Sequence, residues 1–221
     1  MIRDLGLIDY REAYKIQKDC VRLRKLNEIG DSLILAEHNA IFTIGRTGKI
    51  ENLLIDVEVL RRDGIEVIRT DRGGDITYHG PGQLMVYPIV DLKKTTKDLH
   101  QYLRDLEELV MRVLSEYAIH SERLNGKTGI WVGGKKVASI GVAASNWVTY
   151  HGVSINVNCD LSSFSMIYPC GMKDVEATSI RTLLGEDIEM RKLKSRVAAH
   201  FIEIFDPGEY ATAGKEYASL A

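Results

Sequence analysis

The residue of this chain best suited to nucleophilic chemistry is Cys170, set between a proline and a glycine in Tyr168-Pro169-Cys170-Gly171. Those neighbours place it in a loop, off any packed stripe. A thiolate attacks carbonyls well once a nearby cation raises its population at neutral pH. The plainer alternative is a half-buried loop thiol with no role. Lys136 is the candidate cation. In Lys135-Lys136-Val137-Ala138-Ser139-Ile140-Gly141, strand alternation puts Lys136 on the same face as Ala138 and Ile140, which look inward, and turns Lys135 to solvent. A lysine drawn inward is costly unless it is paired.

A second stretch could line a ligand. Arg72-Gly73-Gly74-Asp75-Ile76-Thr77-Tyr78-His79-Gly80-Pro81-Gly82-Gln83 holds four glycines and a proline. Gly73-Gly74 permits a bend and a close backbone approach, and Pro81-Gly82 fits the centre of a type II turn. A tight hairpin in an ordinary sheet is the competing reading. Tyr150-His151-Gly152 repeats the triplet Tyr78-His79-Gly80, which chance alone explains, so either histidine is structural or functional on spacing. His151, Cys159 and Cys170 match no zinc-ligand spacing, and no metal site is expected. The glycine stretch is neither GxxxxGK[ST] nor GxGxxG, so no nucleotide loop is read there.

The elements that must position these groups follow from periodicity. Residues 1–8 read as a strand. Asp9 with Glu12 resembles a capping box, and Ala13, Ile16, Cys20 and Leu23 form the inner stripe of a helix closed near Gly30. Cys20 is therefore core. Ser32–Ala36 and Ala40–Ile44 read as strands on either side of Glu37-His38-Asn39. A short helix from Asp56, a strand over Ile65–Arg69 and a strand over Leu84–Val90 follow, the last marked as an edge or a bulge by Pro88. Thr96 opens the clearest helix, with Leu99, Leu103, Leu106, Val110, Val113 and Tyr117 recurring at helical spacing. Strands over Gly129–Val132, Lys136–Ala144 and Val153–Val157 come next, then an irregular stretch to Ser179. A closing helix over Glu189–Phe205 has Leu193, Val197, Phe201 and Ile204 inward. The tail from about residue 207 is small and polar, and loosely held. Strands arrive in runs, not in alternation with helices, which predicts an α+β domain over residues 1–221.

Composition narrows the class. The chain has 221 residues, a net charge of −2, 45% hydrophobic and 27% charged residues, which suits one globular domain and argues against a nucleic-acid or membrane partner. No apolar run approaches the ~20 residues of a span. Three cysteines imply no disulfide framework, so a reducing cytoplasm is the expected compartment.

Taken together, four segments resemble the lipoyl(octanoyl) transferase family. They are Arg72-Gly73-Gly74 through Gln83, Lys136–Gly141, Thr149–Asn156, and Pro169-Cys170-Gly171 with Thr178-Ser179. Their order and spacing hold from Arg72 to Ser179, and no departure falls at a catalytic position. The resemblance implies that Cys170 accepts the acyl group and that Lys136 pairs with it. It implies an acyl pocket walled by Arg72, Gly73, Gly74, Asp75, Ile76, Thr77, Tyr78 and His79, by Ser139, Ile140 and Gly141, and by Gly152, Val153 and Ser154, with His151 as a supporting residue. It further implies octanoyl-acyl carrier protein as donor, and lysines of lipoyl domains of 2-oxoacid dehydrogenase E2 subunits or of glycine-cleavage H protein as acceptors, in the first step of endogenous lipoate synthesis. No cofactor is implied, because a thioester is already activated. The implied fold is a mixed sheet flanked by helices, as in lipoate and biotin protein ligases. Two other classes remain. An ATP-dependent ligase of the same fold would share the glycine segment and the lysine but need no cysteine. A non-catalytic module that binds carrier proteins would never load Cys170.

Overall fold

The computed structural model describes residues 1–168 and 175–205. In chain order the strands are β1 (Ile2–Ile8), β2 (Ser32–His38), β3 (Ile41–Ile44), β4 (Glu66–Arg69), β5 (Ile76–His79), β6 (Gln83–Ile89), β7 (Glu122–Leu124), β8 (Lys127–Val132), β9 (Lys135–Ser145) and β10 (Val148–Asn156). The helices are α1 (Tyr10–Lys25), α2 (Val57–Arg62), α3 (Leu99–Ser115), α4 (Ile180–Leu184) and α5 (Met190–Phe205). Seven strands form one sheet in the order β1-β2-β6-β10-β9-β8-β7, and β4-β3-β5 form a small second one. β1 runs parallel to β2 and the other pairs of the large sheet are antiparallel. The mixed sheet flanked by helices expected from the sequence is thus what the chain adopts.

Burial explains the layering. β2, β6 and β10 are buried along nearly their whole length because both of their faces are covered. On one face, Leu106, Val110 and Val113 of α3 and Leu193, Val197 and Phe201 of α5 pack with Leu33, Leu84, Val86 and Val153. On the other, Cys20 and Val21 of α1 join Ile34, Met85, Tyr87 and Tyr150. Phe42, Ile44, Leu60, Ile76, Tyr78 and Phe164 make a third core around the small sheet. Among the described residues no helix is long and apolar enough to cross a membrane.

Several boundaries differ from expectation for physical reasons. α1 ends at Lys25 with Leu26 as its cap, short of Gly30, and Asn27 takes a left-handed conformation (φ 56); asparagine tolerates it. Glu37 and His38 continue β2, and the next strand leaves for the other sheet. Asp98, not Thr96, caps α3, accepting from His100 N at 2.7 Å. Pro88 lies in a central strand, not at an edge. Its partner absorbs the defect: the β10–β6 ladder stops at Val153↔Val86, and at the level of Pro88 β10 is kinked by His151, whose φ is 58. At the next residue, Gly152, a Cβ would lie 2.2 Å from the Val86 carbonyl oxygen, so only glycine fits.

Candidate active site

The glycine stretch bridges the two sheets. β5 belongs to the small one and β6 to the large one, and the intervening turn closes through Gln83 N donating to Gly80 O at 3.1 Å. Further back, Gly73 N donates to Val142 O at 2.8 Å, which lays the stretch against β9. A Cβ on Gly141 would come within 2.8 Å of Gly73 O, so glycine permits this approach. Arg72 is 8% exposed and donates to the carbonyls of Thr43 (2.6 Å), Gly73 (2.9 Å) and Asp75 (2.7 Å), which fixes the shape of the bend. The Asp75 carboxylate accepts from Asn52 Nδ2 at 2.6 Å and from Ile76 N at 2.7 Å.

Between this stretch, β6, β9 and β10 lies a narrow slot that opens to solvent. Its lining includes Arg72, Gly74, Asp75, Ile76, Thr77, His79, Ser139, Ile140, Gly141, His151, Gly152, Val153 and Ser154. Two rungs of the β9–β10 ladder, Gly152↔Gly141 and Ser154↔Ser139, bring the last two groups together. Gly73 and Tyr78 do not line it; Tyr78 packs on Phe42 and Phe164 in the third core. Tyr10, Met85 and Tyr87 line it in addition to the expected set. Met85 and Tyr87 share one face of β6, a hint that alternation offers, whereas Tyr10 reaches the slot only through the docking of α1.

Burial shifts the two histidines of the slot toward the neutral form. His79 is buried, with Nε2 against Thr43 Oγ1 (3.2 Å) and Nδ1 against Gln83 Oε1 (2.9 Å). Burial, helped by the Arg72 charge, pushes it down to about 3. His151 donates to Asp71 Oδ1 at 2.8 Å, and Tyr150 donates to the other oxygen at 2.6 Å. These bonds, His151 foremost, hold the Asp71 carboxyl well below its usual range, while burial lowers His151. Asp71 thus pins the kinked part of β10 to the start of the glycine stretch. The folded-state value of His79 lies below the ~6.5 of an unfolded histidine, so between the two the unfolded chain binds the extra proton. The stability it contributes is whole above that upper value and is lost as the pH falls toward about 3. His38 and His151 act in the same sense. The unfolding free energy from urea titration should therefore drop between about pH 7 and pH 4, by on the order of 1.4 kcal/mol per pH unit for each proton taken up. A flat profile would contradict a neutral His79.

Lys136 is 4% exposed, and Lys135 pairs at the surface with Glu176 at 2.7 Å. The Lys136 stem runs over Gly129, where a Cβ would lie 2.6 Å from Lys136 Cε, and its ammonium sits 5.3 Å from the centre of the Trp131 ring. Lys136 N donates to Glu176 O at 2.8 Å and Lys136 O accepts from Thr178 N at 2.9 Å, in parallel pairing with Ala177. Cys170 lies outside the described residues, as do its neighbours from Pro169 to residue 174. Before them Tyr168 N donates to Asn52 O at 2.8 Å, and after them Glu176 O accepts from Lys136 N at 2.8 Å. The other two thiols are buried, and burial raises Cys20 and takes Cys159 up to about 11. Among the described residues no His, Cys, Asp and Glu cluster is arranged to hold a metal ion.

Comparison with known proteins adds a lineage. The lipoyl protein ligase A/B catalytic domain matches residues 9–202. An octanoyltransferase of Rubrobacter xylanophilus is 45% identical over 206 residues, 92% of this chain and 92% of that protein. Two solved structures share the fold. Lipoate-protein ligase A bound with ATP has a TM-score of 0.67 at 15% identity, covering 92% of this chain and 83% of its own. Biotin protein ligase from Aquifex aeolicus, with biotin and ATP, has a TM-score of 0.58 at 16%, covering 99% and 74%.

Proposed function

Because the chain belongs to the lipoyl protein ligase A/B catalytic-domain family and is close in sequence to an octanoyltransferase, we propose that it transfers octanoyl groups through a thioester on Cys170. The donor is octanoyl-acyl carrier protein. The acceptor is a lysine of a lipoyl domain, on a 2-oxoacid dehydrogenase E2 subunit or on glycine-cleavage H protein, and the reaction opens lipoate synthesis in the cytoplasm. The whole described fold, with the tail that follows it, serves as one catalytic domain. The observation that carries this reading is Lys136, a lysine buried on β9 three residues before the slot-lining Ser139 and paired through its backbone with the chain that returns after Cys170.

The chemistry runs in two transfers. Cys170 thiolate, stabilised by the Lys136 ammonium, attacks the octanoyl carbonyl. The tetrahedral adduct collapses, the bond to the carrier sulfur breaks, and that sulfur leaves with a proton from Lys136. The neutral amine of the acceptor lysine then attacks the acyl-enzyme, neutral Lys136 takes the proton it loses, and Cys170 thiolate departs. The C8 chain fits the apolar part of the slot, Ile76, Ile140, Val153 and Met85, at ~0.8 kcal/mol per buried methylene. Intact-mass measurement after mixing with octanoyl-carrier protein, without nucleotide, should show one octanoyl group added and lost again on adding a lipoyl domain. A strict requirement for ATP would point to a ligase instead.

A further inference from the structure

A line of buried side chains crosses the molecule from the glycine stretch to the strand of Lys136. Thr43 is fully buried, and Arg72, His79, Gln83, Asn156 and Thr178 are each 8% exposed or less. The donor at each link can be assigned from the two ends. At one end Asn156 Nδ2 faces the Thr178 carbonyl at 2.9 Å, so Asn156 must donate there. Its Oδ1 therefore accepts from Gln83 Nε2 at 2.9 Å, and Gln83 presents Oε1 to His79 Nδ1 at 2.9 Å. His79 must carry its proton on Nδ1. At the other end Arg72 donates twice to Thr43 Oγ1, at 3.1 and 2.9 Å. The Thr43 hydroxyl proton is then free to go to His79 Nε2 at 3.2 Å. Both ends demand the same tautomer, and every link donates in one direction, from the Arg72 guanidinium to the Thr178 carbonyl. Such runs polarise one another and are costly to break when buried.

Thr178 is the far anchor, and it matters because its N–H donates to Lys136 O at 2.9 Å, two residues after Glu176 O accepts from Lys136 N. The run thus fixes the peptide that brackets Lys136. We propose that Gln83 and Asn156 are positioning residues for the acyl-transfer site: through Thr178 they hold Lys136 and the chain returning from Cys170 in register with the slot wall. This rests on the reading of Cys170 and Lys136 given above. Neither residue lines the slot, so neither acts on substrate directly.

The test compares Asn156→Ala with Asn158→Ala. Asn158 also donates to a carbonyl, that of Ile188 at 2.8 Å, two residues along the same strand exit, but it is outside the run. For Asn156→Ala, kcat should fall ~10- to 100-fold, as a small misplacement costs, with KM for octanoyl-carrier protein little changed. The pH midpoint for iodoacetamide reaction at Cys170 should rise toward the ~8.5 of a free thiol. Asn158→Ala should lower Tm while leaving kcat and the alkylation midpoint near wild type. Should Asn156→Ala not fold, Gln83→Met cuts the run one link earlier at similar side-chain length and is read the same way. Equal kcat losses in both asparagine variants, or an unmoved alkylation midpoint in Asn156→Ala, would overturn the inference. Failure of the underlying reading looks different: wild-type Cys170 would carry no octanoyl adduct.

Discussion

Replacing Cys170 with alanine should abolish octanoyl transfer, by at least about 10³-fold, while circular dichroism and Tm stay close to wild type. The expectation follows from the state of the other two thiols. Cys20 is packed among Val21, Ile34 and Tyr87 on the face under α1, and burial raises its pKa. Cys159 is 2% exposed and pushed up to about 11, so its thiolate is scarce at neutral pH. Neither can be the acyl carrier without leaving its core. Cys20→Ala and Cys159→Ser should therefore keep most activity, with losses confined to stability. Turnover measured together with circular dichroism separates the cases. A folded Cys170→Ala enzyme that still transfers octanoate at near-normal rate would rule out the covalent route. A folded but inactive Cys159→Ser enzyme would move the nucleophile to the other thiol.

Parts of this arrangement are legible in the amino-acid sequence because they are local. The bend at Gly73-Gly74, the turn at Pro81-Gly82 and the inward aim of Lys136 depend on glycine chemistry and on strand alternation, and both act over a few residues. The rest depends on partners far along the chain. Pro88 reads locally as a sign of an edge or bulge, yet it sits centrally because β10 kinks at His151, more than sixty residues later. Asp71 holds His151 across 80 positions, and Gln83 meets Asn156 across 73. Tyr10 lines the slot only because α1 docks on β6 and β10. Tyr78, grouped by motif with the pocket wall, instead packs on Phe42 and Phe164 in the third core. Motif membership brings the segment to the slot, and the packing of each side chain decides which of its members line it.

Lys136→Met should cut transfer by orders of magnitude while the chain still folds. A lysine 4% exposed gives up hydration for its place, a cost that an apolar side chain of similar length does not carry, although removing one partner of a buried pair also forfeits what the pair contributed. Methionine would retain the stem that lies over Gly129 and the contact with the Trp131 ring. It would lose the ammonium, with its charge, its proton and its polar contacts. A residue kept for structure would show the opposite pattern, a lower Tm with activity largely intact. Lys136→Arg should not rescue transfer. Arginine cannot release a proton to serve as base, and the passage over Gly129, where even one added Cβ would come within 2.6 Å of Lys136 Cε, leaves little room for a wider head group. It should nevertheless keep part of the thiolate stabilisation. Lys135→Met, at an exposed position whose partner Glu176 is also exposed, should behave nearly like wild type. The deciding measurement is the pH dependence of iodoacetamide reaction at Cys170 in the three variants. Lys136→Met should move the midpoint up toward ~8.5, Lys136→Arg should lie between, and Lys135→Met should overlay the wild type. Coincident profiles for Lys136→Met and wild type would remove the electrostatic pairing and leave Lys136 with contacts to substrate alone.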